Sequence, residues 1–83
     1  MNSQHVQKFV TVDAKNKPCP LPLLMLKRAL KEHPHQALKL ITSDPNSELD
    51  VIRFCHLRNI ECDLTQISEI EFHFNIQCNG KNT

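Results

Sequence analysis

The stretch that most restricts the fold is residues 70–78, where Ile70, Phe72, Phe74, Ile76 and Cys78 alternate strictly with Glu71, His73, Asn75 and Gln77. A period of two gives one apolar and one polar face, which a strand satisfies and a helix does not. Such a strand needs hydrogen-bonding neighbours and an apolar layer against one side. Upstream the period changes: Leu23, Leu26 and Leu30, broadened by Leu24, Met25 and Ala29, oppose Lys27, Arg28, Lys31 and Glu32 at helical spacing. Pro34 ends that helix near His33. A second helix is expected over residues 45–58, opened by Asp44-Pro45 and by the capping pattern Ser47-x-x-Asp50. Its apolar side is Leu49, Val51, Ile52, Phe54 and Cys55. Residues 6–12, 37–42 and 60–67 read as further strands, with a loop over residues 13–18.

The order strand, helix, strand, helix, strand, strand packs most economically as an α+β fold. It is a two-layer α/β sandwich, with two helices on one face of a four-stranded mixed sheet and the other face wet. The short connection at residues 66–69 makes the last two strands a hairpin, and each strand-helix-strand crossover is expected to give parallel neighbours. With 83 residues the chain has room for one domain over 1–83, with an ordered core at about 6–78 and a polar tail at 79–83.

Composition removes several function classes. The net charge of +1 gives no basis for holding nucleic acid through many phosphates, so no direct nucleic-acid partner is expected. One glycine, Gly80, excludes the glycine-rich phosphate cradles, and four Phe without Trp or Tyr make a poor base-stacking platform. The longest apolar run, residues 21–26, contains Pro22 and falls far short of the ~20 residues of a membrane span. The polar start lacks the features of a secretory signal, so a cytoplasmic protein with reduced thiols is expected, and a monomer.

The chemistry points to Pro18-Cys19-Pro20-Leu21-Pro22, where three prolines frame one thiol between the first strand and the first helix. Proline is tolerated in a first helical turn because its missing N–H would have had no intrahelical partner. Cys19 therefore falls at or just before a helix N-terminus, where unpaired N–H groups, here those of Leu21 and Leu23, favour an anion and lower a thiol pKa. Lys15 and Lys17 would add to that effect. A modest lowering suits thiol exchange, because thiolate population rises while intrinsic nucleophilicity drops. Cys19 reads as a nucleophile.

Taken together, Asp13-Ala14, the Cys19-Pro20-Leu21-Pro22 motif opening a Leu-rich helix, Ser43-Asp44-Pro45 and Asp50-Val51 resemble the TusA/SirA family of sulfur carriers. The resemblance covers about residues 9–78. It implies a sheet in the order 1-2-4-3 and a cytosolic protein whose motif cysteine, here Cys19, carries sulfane sulfur as a persulfide, with no other cofactor. It also implies a cysteine desulfurase as donor and a downstream relay protein as acceptor, toward 2-thiouridine in tRNA. The family usually has Gly-Leu before the motif, where this chain has Asn16-Lys17, and Gly after the second helix, where it has Asn59. Asparagine is the non-glycine residue most tolerant of positive φ, so both turns are expected to survive. Lys17 adds a cation beside the thiol and bears on which partner docks.

Other residues have plainer readings. Cys55, Cys62 and Cys78 are expected to pack in the core. Cys55-His56 and the His33-x-His35 pair are poorly disposed to share a metal, since adjacent helical residues diverge by about 100°. His73 is expected to face solvent. Asp44 reads as the N-cap of the second helix, and it also leaves the same sheet edge as Cys19, where it would help shape docking. Asp13 reads as a turn residue. A thiol redox protein and a non-catalytic regulatory or binding module remain open alternatives, the first requiring a resolving cysteine near Cys19.

Overall fold

The computed structural model describes residues 9–34 and 36–77. Six elements follow in the expected order: β1 (Phe9–Ala14), α1 (Leu21–Glu32), β2 (Ala37–Thr42), α2 (Ser47–Leu57), β3 (Glu61–Ser68) and β4 (Glu71–Gln77). They form one sheet in the order β1-β2-β4-β3, with β1 and β2 parallel and β4 antiparallel to both of its neighbours. The fold is the expected two-layer α+β arrangement, and the order matches that implied by the family resemblance.

One topological expectation drawn from the residues alone fails. The β2–α2–β3 crossover does not make β2 and β3 neighbours, because β4 lies between them. The cause is apolar content. Phe72, Phe74 and Ile76 are buried on one face of β4, whereas most of β3 is exposed, so β4 occupies the interior and β3 the edge. A register shift between Gln66 and Ser68 marks the end of that edge strand, a common place for a bulge.

The core lies between the sheet and the helices. Leu38 and Leu40 of β2 alternate inward with Phe74 and Ile76 opposite them, and Leu26, Ala29, Val51 and Cys55 descend from the helices. Cation–ring contacts join the two helices: Lys27 of α1 and Arg58 after α2 both sit over the Phe54 ring, at 5.4 and 5.2 Å.

Several expected boundaries and faces shift. β1 runs on to Ala14, so Asp13 is a strand residue, and residues 6–8 of the expected first strand lie outside the described residues. α2 starts at Ser47, because Pro45 and Asn46 are used in a turn whose bonds run from the Ser47 N–H to the Asp44 carbonyl and from the Glu48 N–H to that of Pro45. The buried face of α2 is Ser47, Val51 and Cys55, spaced four apart; Leu49 points about 200° away from Val51 and is 66% exposed. Ile70 occupies the β3–β4 turn and is 70% exposed rather than part of the apolar face of β4. His73 is half-buried, paired with Glu71 at 2.7 Å instead of solvated. His35, Cys78 and the tail 79–83 lie outside the described residues. Among the described residues no three His, Cys, Asp or Glu side chains are grouped to hold a metal ion.

Candidate thiol site

Parallel pairing of β1 and β2 brings the loops that follow them to one edge of the sheet, and sequence-local geometry shapes each loop. After Ala14 the chain reverses through Asn16 at φ 66°, a left-handed conformation costly for most residues but tolerated by asparagine. Asn59 does the same after α2, at φ 59°. Both substitutions for the family's usual glycines keep the turn. The Lys17 N–H closes onto the Ala14 carbonyl at 3.2 Å, and Asp13 Oδ1 accepts the Lys15 N–H at 3.1 Å.

Three hydrogen bonds then tie the β1–α1 loop to the β2–α2 region. The Asn16 N–H donates to Ser43 Oγ at 2.8 Å, the Cys19 N–H to Asp44 Oδ2 at 3.0 Å, and the Cys19 thiol to Asp50 Oδ2 at 3.0 Å. The other Asp44 oxygen, Oδ1, accepts the Asn46 N–H at 2.9 Å. Asp44 thus holds its own turn with one oxygen and fixes the Cys19 backbone with the other. It is not the N-cap, which is Asn46, and no side chain caps α2. The expected capping pattern fails as well, because the Ser47 hydroxyl is buried without a partner and Asp50 is turned to the thiol.

Cys19 is exposed. Its thiol pKa is raised, first by the hydrogen bond to Asp50, then by partial desolvation and by the negative charges of Asp50 and Asp44. The expectation of a lowered value is overturned, for reasons visible in the backbone. Cys19 precedes Pro20, the N-cap of α1. The Leu21 N–H, expected to face the sulfur, donates to the Pro18 carbonyl at 2.8 Å, and Pro20 and Pro22 have no N–H to offer. Two nearby carboxylates therefore outweigh the helix terminus and the exposed Lys15 and Lys17.

The structure gathers Cys19, Asp44 and Asp50 into direct contact. Pro20 stands at the N-cap of α1 and Pro22 is buried in its first turn, while Asp13 and Lys17 support the preceding turn through the bonds above. Asp50 is the residue that sequence reasoning assigned to the wrong task. Its spacing from Asp44 was visible as part of the family resemblance, but the thiol contact spans 31 positions and depends on the parallel β1–β2 register.

The family model for sulfurtransferase TusA matches residues 10–77. The chain belongs to the TusA sulfurtransferase family. The fold is similar to the crystal structure of a SirA-like protein from Desulfitobacterium hafniense, with a TM-score of 0.75 at 17% identity, over 82% of this chain and 95% of that one. No curated protein matches the sequence. Membership of this family makes sulfur carriage or transfer the general activity of the chain, and no helix among the described residues is long and apolar enough to cross a membrane.

Proposed function

We propose that Cys19 is the sulfur-carrying residue of this TusA-family chain, loaded by a cysteine desulfurase and unloaded by a downstream relay protein toward 2-thiouridine in tRNA. The observation that carries the reading is an exposed thiol fixed by Asp44 and Asp50 where two strand-to-helix loops meet. In the loading step, Cys19 Sγ attacks the outer sulfur of the donor persulfide. The donor S–S bond breaks, its cysteine leaves as a thiolate, and the proton shed by Cys19 ends on that thiolate. Cys19 then bears the persulfide. Unloading repeats the exchange in reverse sense: an acceptor thiolate takes the terminal sulfur and Cys19 returns to the thiol held by Asp50. The cargo is the sulfur atom itself, bound covalently.

A carrier must not expel its cargo as sulfide through a neighbouring thiol. Cys62 is registered opposite Ile76, which pairs with Leu38 near the start of β2, whereas Cys19 follows the end of β1 beside Thr42. Those two levels of the sheet are about 13 Å apart along the strands, and the chain runs on five residues past Ala14 before it reaches Cys19. The other described cysteine, Cys55, is buried next to Cys62. This arrangement supports a carrier over a redox protein resolving through Cys19. Exposed Leu21, Leu24 and Leu49 on the first turns of the two helices support docking of protein partners at this end.

Incubation with a cysteine desulfurase and free cysteine is the deciding experiment. The intact chain should gain about 32 Da, mapped to Cys19, and Cys19→Ser should abolish the gain. A persulfide on another cysteine, or a gain that survives Cys19→Ser, would overturn the proposal.

A further inference from the structure

The two edges of the sheet are built differently. At one, β3 carries Glu61 and Asp63 and breaks register between Gln66 and Ser68, the charges and the bulge that keep an edge strand from pairing further. At the other, β1 has no such guard. Phe9, Val10, Thr11 and Val12 are strong strand formers, the only charge is Asp13, the register with β2 is unbroken, and among the described residues no strand pairs with the outer side. Beside that edge an open groove of about 330 Å³ between β1 and α1 leaves Val10, Val12 and Met25 only half-buried. Arg28 and Glu32 of α1 line the same groove, and the one ion pair among the described residues, His73 with Glu71, uses neither. We propose that β1 is a self-pairing edge, through which two copies of this chain join antiparallel about a two-fold axis at Thr11, in place of the monomer expected from the sequence.

The faces of β1 fix where the axis can pass. Val10 and Val12 are in register with the buried Leu38 and Leu40 and so face the helices, whereas Thr11 is in register with Lys39 on the open face. Directly opposed residues of an antiparallel pair share a face. An axis between Thr11 and Val12 would oppose Val10 to Asp13 and set the apolar face against the polar one. An axis at Val12 would set Val10 against Ala14, which is already fully buried, and would bring both Asp13 carboxylates to one residue from the axis. With the axis at Thr11, Val10 of each copy opposes Val12 of the other, and the two grooves merge into one covered apolar strip. The charges then complement each other. Because α1 returns antiparallel to β1, the two-fold brings Arg28 of each copy toward Glu32 of the other. On the open face Asp13 of one copy opposes Phe9 of the other, whose ring carries the Lys39 ammonium at 5.6 Å. Such self-complementarity is what an isologous contact requires, and it selects a second copy as the occupant. The paired strands point in opposite directions, so the two Cys19 loops lie at opposite ends of the seam and neither is covered.

The test is sedimentation equilibrium of the full chain under reducing conditions from about 1 µM to 1 mM, because a seam over residues 9–13 of each copy belongs with the small, weak interfaces. The mass should rise from 9.6 kDa toward twice that. Thr11→Lys changes an exposed side chain and places two like charges on the axis, so it should raise the dissociation constant at least ~5-fold with thermal melting unchanged. Arg28→Glu should weaken the dimer, and adding Glu32→Arg should restore it. After oxidation, Thr11→Cys should give a dimer cross-linked through position 11 of both copies, while Thr65→Cys on the β3 edge should not. Should Thr11→Lys fail to fold, the charge swap and the cross-link decide the matter. A monomer at the top of the concentration range, a dimer that Thr11→Lys leaves intact, or cross-linking by Thr65→Cys in preference to Thr11→Cys overturns the proposal.

Discussion

Replacing Asp50 with alanine removes both the acceptor of the Cys19 S–H, at 3.0 Å, and the nearest charge opposing the thiolate. The Cys19 pKa must then fall. The fall reflects the loss of both the hydrogen bond and the close like charge, with Asp44 still present to keep the value from dropping far. For any thiol, a tenfold gain in thiolate at neutral pH is offset by about threefold lower nucleophilicity, so alkylation of Cys19 should speed up, by less than the gain in thiolate. Asp50→Asn keeps an acceptor and loses the charge, and should fall between the two. The assay is peptide-resolved iodoacetamide labelling of Cys19 from pH 6 to 10, which separates it from the other cysteines. In the unsubstituted chain the rate should still be climbing at alkaline pH, and in Asp50→Ala the inflection should move to lower pH. The linkage sign follows from the raised pKa: the contribution of Cys19 to stability is present below its unfolded value and lost as pH rises through the folded one. Asp50→Ala should weaken that alkaline loss. An Asp50→Ala protein that labels at the same rate with an unmoved inflection, or more slowly, would show that Asp50 does not govern protonation of the thiol.

Three further substitutions probe the frame around the thiol. Asp44→Ala removes the acceptor for both the Cys19 and Asn46 N–H groups and should destabilise the chain by about 1–2 kcal/mol, seen as a fall in Tm of roughly 5–15 °C by circular dichroism. Thr42→Val replaces a fully buried hydroxyl that has no partner with a methyl of similar shape, and thermal melting should show unchanged or higher stability, by up to about 1 kcal/mol; a clear loss would mean that the hydroxyl is satisfied. Asn16→Ala places an ordinary residue at φ 66° and should cost about 1 kcal/mol in urea unfolding, while Asn16→Gly should be nearly neutral.

The parts of this fold that are local in sequence were legible from it. Alternation in residues 71–77 and the Leu-rich stripe of α1 each placed an element, and asparagine tolerance of positive φ correctly anticipated Asn16 and Asn59. Sheet order was less accessible, because the crossover rule gives direction and leaves open which strand inserts between two others; relative burial of β4 and β3 decided it. The site was half legible. Proline spacing located Cys19 before a helix, but the sign of its pKa shift depended on where the first-turn N–H groups were spent and on a carboxylate 31 positions away.

A raised thiol pKa would disqualify an enzyme that attacks free substrates, but it agrees with the proposed carriage of sulfur between proteins. An ordinary thiol is only a few per cent ionised at neutral pH, and Cys19 is less so, which makes it slow toward stray disulfides and peroxides despite its exposure. Productive exchange then depends on the proximity and orientation that a docked donor supplies, and proximity offsets orders of magnitude in intrinsic reactivity. In the proposed persulfide the terminal sulfur would lie one S–S bond, about 2.05 Å, beyond Sγ, displaced from the position where Asp50 holds the thiol proton. On that reading the carboxylates would restrain the empty thiol more than the cargo, so that exposure, which the proposed transfer requires, does not by itself make Cys19 promiscuous.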